Sequence, residues 1–113
     1  MMLGGMLNRY NCCCDSTTSA NEITHMNFDI MFLSTAAFDI EAGFSCGKEV
    51  IDGPRWSVIK KASKVIVPLT SSKIAQVYPI THANLSDVEI IISDDDMPAD
   101  IKRYITEHGV EVL

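Results

Sequence analysis

The chain contains no apolar run near the roughly 18 residues that cross a bilayer. Its opening, MMLGGMLNRY, lacks the compact apolar stretch of a secretory leader, so a soluble, cytoplasmic chain with no membrane partner is expected. Positive charge is also scarce: nine Lys and Arg stand against fifteen Asp and Glu, for a net charge of −6. Those nine are scattered, which disfavours direct nucleic-acid binding by this stretch because no basic face or arm exists to meet a phosphate backbone. There is no paired-cysteine spacing either. Three of the four cysteines are adjacent, Cys12-Cys13-Cys14, whereas tetrahedral metal sites separate paired ligands by two to four residues, so reduced thiols are expected. His25, His82 and His108 are far apart and lack partners at ligand spacing, which places them on the surface or at helix ends and implies no metal. The acidic run Asp94-Asp95-Asp96 reads as one helix cap and solvated neighbours.

What is present is enough apolar material, 47% of 113 residues, to build the core of one domain. The first 18 residues read as irregular, with Gly4-Gly5 a place for close backbone approach. Ser19 followed by Glu22 has capping-box spacing and predicts a short helix beginning after Ser19. FDIMFL, Phe28 to Leu33, predicts a strand buried on both faces. Small residues from Ser34 to Gly47 predict a long loop. A helix is expected from about Pro54 to Ser63, since proline is tolerated in a first turn. Trp56 within it is read as a core or interface anchor.

VIVPL is the next expected strand, followed by a weaker one in IAQVYPI and a clearer one in VEIIIS. Near the end, Asp96 is placed to cap a helix whose apolar stripe includes Ile101, Tyr104 and Ile105, with Gly109 stopping it before VEVL. Strand, helix, strand in that order predicts an α/β protein with a parallel sheet. In such sheets ligands bind beyond the carboxyl ends of the strands, where Thr70-Ser71-Ser72-Lys73 would lie. Hydroxyls and an ammonium suit the oxygens of a sugar phosphate; a solvated serine-rich turn is the competing reading.

The order of these motifs resembles the C-terminal sensor domain of the DeoR family of bacterial sugar-operon repressors. That family shows a Gly-Gly pair, here Gly4-Gly5, and an Asp-x-x-Phe strand, here Asp29 to Phe32. Its next loop is similar to FDIEAGFS, with Asp39, Glu41 and Gly43 in place. A Glu-Ala-x-x-Lys signature is answered by Ile51 to Arg55, and Asp-Ser-Ser-Lys by Thr70 to Lys73. The closing pattern matches Leu85-Ser86-Asp87, Asp94-Asp95, Pro98 and Gly109 to Val112.

The resemblance implies a partial parallel-sheet domain related to sugar-phosphate isomerases and deaminases. It implies an effector site for a phosphorylated sugar or polyol built from Lys73, Ser71, Ser72, Asp39, Arg55, Glu49, Ser45, Gly4 and Gly5. Within the family it points to a galactitol-type repressor. Full-length members join this sensor to a helix-turn-helix reader of operator DNA. This chain holds neither the reader nor the first half of the sensor, so a single partial domain is expected, homo-oligomeric or aggregation-prone through an exposed strand edge.

Catalysis is not expected. The related enzymes use acids three residues apart, and the matching positions are Ala36 and Asp39; alanine exchanges no proton. Ile51 offers no carboxylate, though Glu49 and Asp52 stand nearby in sequence as alternatives, and Arg55 in place of lysine is a poor general base. No cofactor is implied. The rival readings are a degenerate isomerase-like enzyme and an interaction module that docks onto intact repressor subunits.

Overall fold

The computed structural model describes residues 3–9, 12–14, 17–47 and 58–113. A four-stranded parallel sheet runs in the order β3-β6-β8-β9, made of Phe28–Phe32 (β3), Ala62–Pro68 (β6), Ile90–Ile92 (β8) and Glu111–Val112 (β9). An antiparallel three-stranded sheet, β4-β5-β7, comprises Ala37–Asp39 (β4), Gly43–Cys46 (β5) and Ile80–Ala83 (β7). The expected α/β class with a parallel sheet is therefore present, with a second, small sheet that the sequence pattern did not announce.

β6 is the apolar centre. Val65, Ile66, Val67 and, just past the strand, Leu69 are buried, and each such side chain contributes roughly 1.5–3 kcal/mol of hydrophobic stabilisation. Val65 and Val67 face the same way and join a core with Ile91 of β8, and with Ile105 of the helix Ala99–Glu107 (α2). The apolar stripe expected on α2 is thus the packed one: Ile105 is buried and Ile101 packs against the core. Gly109 has φ +84° and ends the helix, with Val110 N–H donating to Ile105 O at 3.3 Å. The residue before α2's first turn is Pro98, so Asp96 is not its cap as expected; proline suits this boundary because the first helical N–H groups have no partners within the helix.

Several expectations are corrected. β3 is an edge strand: Ile30 is 53% and Phe32 65% exposed, while Met31 between them packs on the core. An apolar run does not distinguish an edge from a central strand, and here one face of the run meets the core while the other faces solvent. The expected loop Ser34–Gly47 instead forms the β4-β5 hairpin, held by Phe38 and Phe44 with ring centroids 4.7 Å apart. IAQVYPI is not a strand at its start; Ile74 makes one isolated bridge to Phe38, and β7 begins only at Ile80.

The first helix, Thr17–Ile23 (α1), is under way before Ser19, whose buried hydroxyl donates to Gly4 O at 2.6 Å rather than capping. Before it, Leu7–Asn8 (β1) and Cys13–Cys14 (β2) form a short antiparallel ribbon where no element was expected. The helix expected over residues 54–63 lies partly outside the described residues, as does Trp56. Within it Val58 and Ile59 are helical, but Ala62 and Ser63 already belong to β6. His25 and His108 are exposed near helix ends, whereas His82 is buried in β7. Cys12 is an exposed thiol and Cys46 a buried one.

Gly43 shows how tightly β5 meets β7. Its φ is +73°, and a Cβ there would lie 2.7 Å from Ala83 O, a backbone atom that cannot swing aside. At Gly109 nothing lies within 4 Å of the same atom. Gly109→Ala is expected to cost only the left-handed backbone term, about 1–2 kcal/mol. Gly43→Ala is expected to cost clearly more, because the backbone must also part. Urea unfolding of the two variants checks this, and equal losses would contradict the close approach.

Candidate ligand site at the carboxyl ends of the strands

The parallel ladders end at different points on the two edges of β6. Past β3, Leu33 N–H donates to Ile66 O at 2.8 Å. The next rung between β3 and β6 would need an N–H from residue 68, and Pro68 has none. Pairing on that side stops there, while on the other side Leu69 N–H still donates to Ile92 O at 2.9 Å. The Thr70–Lys73 motif begins at this point, and the segments after β3 and β6 meet again at the Phe38–Ile74 bridge.

Ser71–Lys73 is one turn of 3-10 helix, closed by Lys73 N–H to Thr70 O and Ile74 N–H to Ser71 O, both 3.0 Å. Thr70 Oγ1 and Ser72 Oγ lie 3.0 Å apart. Lys73 reaches the loop after β3: its Nζ donates to Thr35 O at 2.9 Å in a partly buried setting. Thr35, in the loop after β3, is itself buried, and its hydroxyl is 2.9 Å from Ala37 O and 3.1 Å from Ser45 O. Ser45 is fully buried and its Oγ accepts from Tyr78 N–H at 2.9 Å. The structure thus joins Lys73, Thr35 and Ser45 through one chain of hydrogen bonds.

Other residues singled out in the sequence occupy different roles. Asp39 closes the β4-β5 turn, its Oδ1 accepting from Glu41 N–H at 2.9 Å and Ala42 N–H at 3.0 Å. Gly4 is tied to α1 through Ser19. Glu49 and Arg55 lie outside the described residues. Ala36 contributes a backbone N–H to Ser45 O at 3.2 Å.

Thr35 and Asp94 escaped the sequence reading. Nothing in the spacing marks a threonine 38 residues from its lysine partner. Asp94, read as part of a solvated run, accepts from Ser71 N–H at 2.9 Å. Beside it, Ser93 Oγ donates to Leu69 O at 2.7 Å. The backbone N–H of Ser71, with its hydroxyl second, holds the Asp94 carboxyl below the usual carboxylate value of 3.8. This arrangement sets a lysine that spans two loops, with hydroxyls beside it, at the ends of the parallel strands.

The family comparison agrees with the fold. Residues 1–95 match the model of the DeoR C terminal sensor domain, and the chain belongs to that family. It is 29% identical over 112 residues to the HTH-type transcriptional regulator GlpR of Haloferax volcanii, covering 99% of this chain and 44% of the relative. It is 27% identical over 113 residues to a protein of Escherichia coli O157:H7 assigned by name as an aga operon transcriptional repressor, covering 100% of this chain and 42% of the relative. The chain therefore spans less than half the length of these relatives, which are transcriptional regulators. No helix among the described residues is long and apolar enough to cross a membrane.

Because Asp94 titrates below its ordinary value, the bond to Ser71 is present above about pH 3.8 and is lost as pH falls through the lowered pKa. The Ser71 amide proton is expected to shift upfield in that acid window, with a midpoint below 3.8. An NMR titration checks it; a midpoint above 3.8 would contradict the bond.

Proposed function

We propose that this chain is the effector-binding portion of a DeoR-type transcriptional repressor of a sugar or polyol catabolic operon, and that its ligand is a phosphorylated sugar or polyol. The observation that carries this reading is the position of Lys73: a cation at the carboxyl end of the central strand, spanning two loops, with the hydroxyls of Thr70, Ser71 and Ser72 in the same turn. An ammonium supplies the point charge for a phosphate, and hydroxyls adapt to sugar oxygens. Ser45, Asp39, Arg55, Glu49, Gly4 and Gly5 remain proposed contributors, and a galactitol-type repressor is the member of the family we propose.

The site is one for binding rather than turnover. Alanine stands at position 36, and one oxygen of Asp39 is committed to a turn, so these two positions do not supply an acid pair to carry protons between sugar carbons. In the whole protein, a ligand that prefers one arrangement of the sensor would shift the population of states and so change how a DNA reader meets its operator. DNA binding is assigned to the reader and not to this stretch, whose charge is −6.

A second reading, an interaction module, is favoured by the exposed Ile30 and Phe32 on the edge strand β3, which are suited to self-association or to docking on another subunit. Thermal unfolding with inorganic phosphate and a panel of hexose and hexitol phosphates, with molecular mass recorded alongside, separates the two. A ligand that binds only the folded state raises its melting temperature by mass action. A selective rise of several degrees that disappears in Lys73→Ala is the expected result. Association with a full-length homologue, unaffected by any of these phosphates, would sink the effector reading and favour the module.

A further inference from the structure

We infer that Asp94 is the positioning residue of the Lys73 turn: reaching from the end of β8, its carboxylate fixes the Ser71 backbone and so sets where the Lys73 ammonium stands. The inference rests on the effector reading given above. Thr70-Ser71-Ser72-Lys73 contains no acid of its own, and a single 3-10 turn has little intrinsic stability. Its support comes from outside. Ser93 Oγ holds Leu69 O at 2.7 Å and Asp94 Oδ2 holds Ser71 N–H at 2.9 Å, so two consecutive residues of the β8 loop grip the chain on either side of Thr70.

Lys73 follows two residues after that grip and is tethered at its far end to Thr35 O. Ser71 at one end and Thr35 at the other therefore fix the lysine's path. A carboxylate accepting from a backbone N–H is a charge-assisted bond, stronger than the neutral bonds within the turn itself. Asp95 and Lys102 line the same depression as Asp94, and Lys102 is the cation of that depression. The Lys73 ammonium is directed instead to Thr35. The lowered pKa of Asp94 fits this geometry, since its first cause is the Ser71 backbone bond.

The test uses the full 113-residue chain and the same phosphate panel. Asp94→Asn keeps the side chain's shape and removes its charge; Asp94→Glu restores the charge on a longer stem. With the phosphate that stabilises the wild type, Asp94→Asn is expected to weaken binding about tenfold and Asp94→Glu to recover most of it, in line with a hydrogen bond to a charged group. Hydrogen exchange of the Ser71 amide is expected to quicken in Asp94→Asn, while the ligand-free melting temperature stays close to wild type.

If Lys73→Ala abolishes binding but Asp94→Asn binds as the wild type does, the positioning role is overturned and the effector site stands. Unchanged Ser71 exchange in Asp94→Asn overturns it as well. If no phosphate binds the wild type, the effector reading itself fails and this inference goes with it.

Discussion

β6 is hydrogen-bonded along both edges, to β3 on one side and β8 on the other, and the rest of the structure is arranged around that pairing. Buried backbone groups that lack partners are costly, so a central strand of valine and isoleucine is stable only when neighbours on both sides complete its ladder. Both faces of the problem are solved by non-local pairing: β3 precedes β6 by a hairpin and more, and β8 follows it after a second excursion through β7. The antiparallel sheet is inserted in those excursions and packs its Phe38 and Phe44 into the same core as Val65 and Val67. The site and the core are thus built from one strand, whose interior residues supply cohesion and whose end supplies the lysine.

The end of that strand matters because of a single missing proton. Pro68 has no N–H for the next rung to β3, while Leu69 N–H still donates to Ile92 O on the β8 side. Beyond it, Lys73 links the loops after β3 and β6 through its side chain. A polar link of this kind, unlike a ladder bond, offers a charged group where another molecule can approach.

Much of this was readable in the sequence where the physics is local. VIVPL, VEIIIS and the α2 stripe are strong periodic or apolar signals, and their order implies a parallel sheet. The TSSK turn was placed correctly at a strand end for the same reason. Capping was less readable: Ser19 and Asp96 have the right chemistry for helix starts, but Ser19 is used to hold Gly4, and α2 begins at Pro98. The β4-β5 hairpin was hidden because its strands are short and rich in small residues, and its decisive contact, Phe38 on Phe44, spans a turn that composition alone presents as loop. Edge and centre could not be separated for β3, since burial of a strand depends on what lies beside it.

The Lys73–Thr35 link joins residues 38 positions apart, across a sheet whose neighbours are themselves distant in sequence. Contacts of that separation are closed late, after loop-closure entropy has been overcome by the core, and chains dominated by them fold slowly. The link therefore depends on the β3–β6 pairing that brings the two loops together, not on the local chemistry of the turn alone.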